Sequence, residues 1–151
     1  MDLGAERKKI SEYRSEVIEK FINIECLMNA IISQHYFKRV VLPFFLEVLY
    51  DEYFSFALRR RVLGKIVKID AKIIENLNRL NTIRNYFAHC NQEIFEISDK
   101  DKKYGKIVDP RNTTKGIDFE SLYVEFNTKE KDVAGYLFEL YKSLGGKFET
   151  A

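Results

Sequence analysis

From Glu6 to about His35, apolar side chains recur at Ile10, Tyr13, Val17, Phe21, Ile24, Met28 and Ile31. The steps alternate between three and four, as one face of a helix requires, and predict a first helix of about 30 residues. Pro43 suits the first turn of a short second helix carrying Phe44, Phe45, Val48 and Leu49, because a first-turn residue has no use for the N–H that proline lacks. Phe54 to Val67 predicts a third helix, and Asp70 caps a fourth running from Ala71 to about Glu93. The texture then changes. Ile94–Ile97 and Lys106–Val108 are short β-compatible pieces, so a small hairpin or irregular excursion is expected around residues 94–116, with Asp109 to Gly116 read as a loop. Asp118 is placed to cap a short helix to Phe126. Thr128 is placed to cap a last helix with the stripe Val133, Leu137, Leu140, Tyr141 and Leu144, stopped by Gly145-Gly146. The fold class is all-α, with five or six helices.

Composition narrows the picture. A chain of 151 residues, 46% of them hydrophobic, is expected to form a single domain over residues 1–151. Its 25 Lys and Arg against 23 Asp and Glu exclude an acidic disordered tail and a strongly basic scaffold, so any nucleic-acid contact must come from a local patch. Cys26 and Cys90 both lie inside apolar helical patterns, which reads as two core thiols in a reducing cytoplasm rather than a disulfide framework or a four-cysteine zinc site. With two histidines and no paired acidic motif, no metal and no cofactor are expected. His35 at the end of the first helix suits the negative end of the helix dipole. The polar N-terminus lacks an apolar signal region. The most apolar stretch, Val40 to Tyr50, is broken by Pro43 and Glu47 and falls short of the ~20 residues that span a bilayer, so no membrane is expected.

The fourth helix carries the chemistry. At ~100° per residue, Ile69, Ile73, Leu80, Ile83, Phe87, Cys90 and Ile94 share one face. Asn78, Asn81, Thr82, Asn85, His89 and Gln92 gather on the opposite side. A solvated helix back ordinarily carries Lys and Glu; this one consists of uncharged hydrogen-bonding groups and an imidazole, which suits an interface or a site. Arg84 lies on the flank. Asn85 and His89 are i,i+4 neighbours, whereas Arg84 and His89 stand ~140° apart around the helix.

The run Leu80-Asn81-Thr82-Ile83-Arg84-Asn85-Tyr86-Phe87-Ala88-His89 resembles the signature helix of the HEPN superfamily (higher eukaryotes and prokaryotes nucleotide-binding), in which an Arg, often followed by Asn, precedes a His by four to six residues. The early run Ile24-Glu25-Cys26-Leu27-Met28 and the layout over residues 6–145 extend the likeness. The resemblance implies an antiparallel helical bundle that forms a homodimer, with the two motifs facing a shared cleft. In many such proteins that cleft is a metal-independent endoribonuclease, often the toxin or defence effector of a pair. On this resemblance Arg84, Asn85 and His89 are the catalytic candidates. An imidazole, with an ordinary pKa of ~6.5, can take the proton of a ribose 2′-OH, whose oxygen then attacks the adjacent phosphorus. A guanidinium can hold the phosphate and offset its growing charge. Two departures or parallels widen the field. Where toxins of this type carry a Tyr two residues after the His, for modification by a nucleotidyltransferase antitoxin, this chain has Asn91, so control by that or another antitoxin is an open question. The motif is also similar to that of mannitol operon repressor-type proteins, which have no established nuclease role.

Two basic runs stand beside the motif. Arg59, Arg60, Arg61, Lys65, Lys68 and Lys72 surround a helix, and half of such a run faces solvent; Arg59, Arg60 and Arg61, with Asn81 in the polar stripe, are the candidate RNA-binding residues. Lys100, Lys102, Lys103, Lys106, Arg111 and Lys115, with Tyr104, form a second run diluted by Asp99, Asp101 and Asp109. Three function classes remain open on the sequence: a ribonuclease, a non-catalytic regulatory or interaction module built on a structural Arg/Asn/His network, and a nucleotide-binding protein.

Overall fold

The computed structural model describes residues 3–89, 106–109 and 112–147, with side chains described over 4–89 and 117–147. Among these residues the fold is an all-α helical bundle of five helices with one two-stranded hairpin. Helix α1 spans Leu3–Phe37, a π-helical turn Phe44–Leu49 follows Pro43, α2 spans Phe56–Ile66 and α3 spans Ala71–Ala88. Strands β1 (Lys106–Asp109) and β2 (Asn112–Asp118) lead into α4, Phe119–Ser143.

The helix boundaries follow from local chemistry. Ser55 Oγ accepts from Leu58 N at 3.2 Å, Asp70 Oδ1 from Lys72 N at 2.8 Å and Asp118 Oδ1 from Glu120 N at 3.0 Å, so each cap satisfies a first-turn N–H that has no intrahelical acceptor. Helix α1 stops at Lys38, which adopts the left-handed conformation with φ 60° and returns its N–H to Gln34 O. Helix α4 ends as Gly145-Gly146 predicts: Gly145 has φ 85°, its N–H reaches Lys142 O, and the Gly146 N–H reaches back to Tyr141 O. A Cβ on Gly146 would collide with the Tyr141 ring.

Three sequence expectations are corrected. Residues 112–116 are not a loop: β2 pairs antiparallel with β1, Lys106 opposite Asp118 and Ile107 opposite Ile117, with a register shift between Val108 and Asp109. The break at Thr128 is absent, because Thr128 Oγ1 donates to Val124 O within one continuous α4 instead of capping a new helix. Cys26 is exposed rather than in the core. The expectations for Cys90, Asn91, Gln92, Ile94–Ile97 and the Lys100–Tyr104 run lie outside the described residues.

The chain folds as two compact units, Met1–Phe21 with Asn78–Glu130, and Ile22–Leu77 with Lys131–Ala151. In the first, Val17 and Phe21 of α1, Leu80, Ile83 and Phe87 of α3, and Phe119, Leu122 and Phe126 of α4 are buried together in the core. Their spacing in threes and fours is the helical repeat read from the sequence. Tyr13 donates to Glu120 and stacks on Tyr123, Tyr123 donates to Glu16, and Lys20 donates to Asn127, so α1 and α4 run parallel in this unit. Arg14 reaches Phe87 and Arg84 lies on Phe21, so α3 runs antiparallel to α1. In the second unit Ile24, Met28, Ile31, Phe45, Leu49, Leu63, Leu77 and Leu137 are buried apolar side chains. No described helix is long and apolar enough to cross a membrane.

Candidate functional site

In the first unit, α3 exposes or half-exposes the polar stripe while burying Leu80, Ile83 and Phe87. Asn78 and His89 are exposed; Asn81, Thr82, Arg84 and Asn85 are half-buried. Thr82 Oγ1 donates back to Asn78 O at 3.1 Å. The helix thus presents its uncharged side outward, as its pattern predicts.

Arg84 is held from two directions. Its guanidinium carbon stands 4.7 Å from the centroid of the Phe21 ring on α1, and Nη2 donates to Asn81 Oδ1 at 2.9 Å. A cation over an aromatic face gains about 0.5–2 kcal/mol, and the contact also fixes the plane of the fork. Arg84 Nε is buried with no hydrogen-bond partner, and among the described residues no carboxylate pairs with this guanidinium. The charge is therefore immobilised but not neutralised.

His89 follows the last residue of α3, its N–H bonded to Asn85 O at 3.0 Å. That backbone bond is the link between the two residues: among the described residues neither the Asn85 amide nor the His89 imidazole makes a side-chain hydrogen bond. No contact joins the side chains of Arg84 and His89. Both are within one turn and a half of α3, as the ~140° separation requires.

Two side chains that the sequence did not single out support this turn. Arg14 on α1 donates Nε to Phe87 O at 2.9 Å, satisfying one of the last carbonyls of α3 that no helical N–H reaches. Phe21, counted only as a core position, is also the platform for Arg84. Neither role is written in the spacing of α1; both arise from where α1 crosses α3.

The basic run from α2 into the start of α3, in the second unit, divides. Arg61, Lys65, Lys68 and Lys72 are exposed and Arg60 is half-buried. Arg59 is 4% exposed and is corrected from a surface phosphate contact to an interior residue. Its Nη1 meets Glu25 Oε1 at 2.9 Å, Nη2 donates to Leu49 O at 2.6 Å and Nε donates to Asn29 Oδ1. Burial pulls the Arg59 pKa below its ordinary value, and Glu25 and Tyr50 oppose that shift. Beside it, burial and the Cys26 thiol push the Tyr50 phenol up to about 12. The signal was present in the sequence: Phe56, Arg59 and Leu63 share the three-and-four repeat of a core face, and Glu25 and Asn29 lie one turn apart on α1.

Among the described residues no group of three His, Cys, Asp or Glu is gathered as a metal site. Compared with family models, curated proteins and solved structures, the chain finds no match.

Proposed function

We propose that the chain is a HEPN-like, metal-independent endoribonuclease whose site is built on Arg84, Asn85 and His89 and completed in a homodimer. The observation that carries the reading is Arg84: a half-buried guanidinium fixed by Phe21 and Asn81, with one orphaned donor and no carboxylate partner among the described residues, one turn and a half from an exposed imidazole. An unneutralised, immobilised guanidinium favours an oxyanion, and its planar fork suits a phosphate. His89, free of side-chain partners among the described residues, is available to take the 2′-OH proton. The 2′-oxygen bonds to phosphorus as the P–O5′ bond breaks, Arg84 offsets the charge that builds on the phosphoryl oxygens, and the departing 5′-oxygen takes a proton from water, giving a 2′,3′-cyclic phosphate and a 5′-hydroxyl end. The 2′-OH requirement limits cleavage to RNA.

One observation favours a second reading. Arg84 is engaged within its own unit, on Phe21 and Asn81, as a structural network in a non-catalytic module would require. The test is incubation of the purified protein with mixed RNA in EDTA, followed by end analysis. Cyclic phosphate ends that disappear in His89→Ala support the nuclease. Intact RNA across several substrates favours the interaction module, and a thermal shift with mononucleotides without cutting favours a nucleotide-binding protein.

A further inference from the structure

The π-helical turn Phe44–Leu49 is apolar on two sides. Phe45 and Leu49, four residues apart, are buried in the second unit. Leu42 and Leu46, also four apart, lie outward at 64% and 60% exposure, with Val48 at 46% and Tyr53 at 83% beside them, while Tyr50 packs its ring on Phe45. A helical turn that is apolar all round is ordinarily enclosed, and exposed apolar clusters of this kind mark association surfaces.

The charges around the cluster identify what encloses it. Lys38 and Arg39 stand at its start and Glu47, Asp51 and Glu52 towards its end, all exposed. Asp51 uses a carboxylate oxygen to accept from Tyr53 N at 2.9 Å. Among the described residues the side chains of Lys38, Arg39, Glu47 and Glu52 form no ion pair. A segment basic at one end and acidic at the other is complementary to its own reverse, and a two-fold axis across its middle presents that reverse. A nucleic acid or an anionic lipid surface would instead meet three carboxylates.

We propose that residues 36–53 form a self-association surface on which a second copy of this chain docks antiparallel, Leu42, Leu46 and Val48 of each copy packing together and Lys38 and Arg39 of each opposite Glu47, Asp51 and Glu52 of the other. None of its residues belongs to the Arg84–His89 site, and RNA cleavage is not its readout.

The test is sedimentation of the full chain over a dilution series. Leu42→Glu with Leu46→Glu, both at exposed positions, weakens association roughly tenfold or more while circular dichroism stays unchanged. Lys38→Glu with Arg39→Glu makes one all-acidic surface, and Glu47→Lys with Glu52→Lys makes one predominantly basic surface that keeps Asp51 for its bond from Tyr53 N. Each alone associates more weakly than the wild type, and an equal mixture of the two associates more tightly than either. Association unchanged by the leucine variants overturns the proposal, as does a mixture no tighter than its components. A wild-type chain monomeric at every concentration overturns it as well.

Discussion

Arg59 and Arg84 have the same side chain and opposite situations. Arg59 spends its donors on Glu25, Asn29 and the Leu49 carbonyl in the interior, so removing it strands a carboxylate and two acceptors. Breaking such a pair costs about 3–5 kcal/mol. Arg59→Ala is therefore expected to lower the melting temperature by at least about 6 °C, whereas Arg61→Ala, on the exposed side of α2, shifts stability by no more than about 0.5 kcal/mol. Calorimetry on the two variants checks this. Arg84 has one side-chain hydrogen bond and an aromatic stack, so Arg84→Ala costs stability only about 1 kcal/mol. Its expected effect is on RNA cleavage, which Arg84→Ala and His89→Ala both abolish. Arg84→Lys loses most of the activity too, since a point charge reproduces neither the fork nor the stack on Phe21. Unfolding of His89→Ala would make the histidine structural and remove it from the site.

Between elements of the first unit, Arg79 on α3 clamps Glu125 on α4 through two hydrogen bonds of 2.7 and 3.0 Å. The hydrogen bonds from Arg79 hold the Glu125 carboxyl below its usual range, while partial burial opposes this. Because the folded-state pKa is the depressed one, the contribution is complete above the unfolded carboxylate pKa of ~4.3 and is lost as pH falls through the folded value. Urea midpoints measured from pH 6 downward are expected to decline in that acid window, about pH 5 to 3, and Arg79→Gln is expected to flatten the decline. An unchanged slope in Arg79→Gln would assign the acid sensitivity to other carboxylates. The helices that meet at this clamp were legible in the sequence because their cores repeat every three or four residues and Asp70 and Asp118 are ordinary caps. Two boundaries were not. Asn127-Thr128 has the composition of a cap, but Phe126 and Val133 are both buried at a heptad spacing that keeps one face inward, so the helix continues through. The turn formers of residues 112–116 concealed a strand whose pairing with β1 is a tertiary choice. At the candidate site the polar stripe and His89 could be read from one helix, whereas the seat of Arg84 on Phe21 and the bond from Arg14 depend on a second helix and leave no mark in either pattern alone.

At the scale of the whole molecule, the chain is assigned two self-complementary surfaces: the polar stripe of α3, inferred to face a shared cleft, and residues 36–53. A two-fold contact presents the same patch from both copies, so each surface pairs with itself. Each can be disabled separately. Thr82 probes the stripe better than Asn81, because Asn81 already accepts from Arg84 and its loss would release that guanidinium. Thr82→Lys places like charges near the two-fold axis, whereas the leucine substitutions put carboxylates in the apolar cluster. Sedimentation over a dilution series is expected to show weaker association for either variant than for the wild type, and a monomer for the combination. RNA cleavage separates the surfaces further. If the proposed shared cleft draws its reacting groups from two protomers, specific activity is expected to fall on dilution and in Thr82→Lys, since Arg84 and His89 on one helix point ~140° apart. It is expected to persist in the Leu42→Glu, Leu46→Glu variant. Full, concentration-independent activity of a monomer would exclude the shared cleft while leaving the apolar surface to be judged by its own mixing experiment.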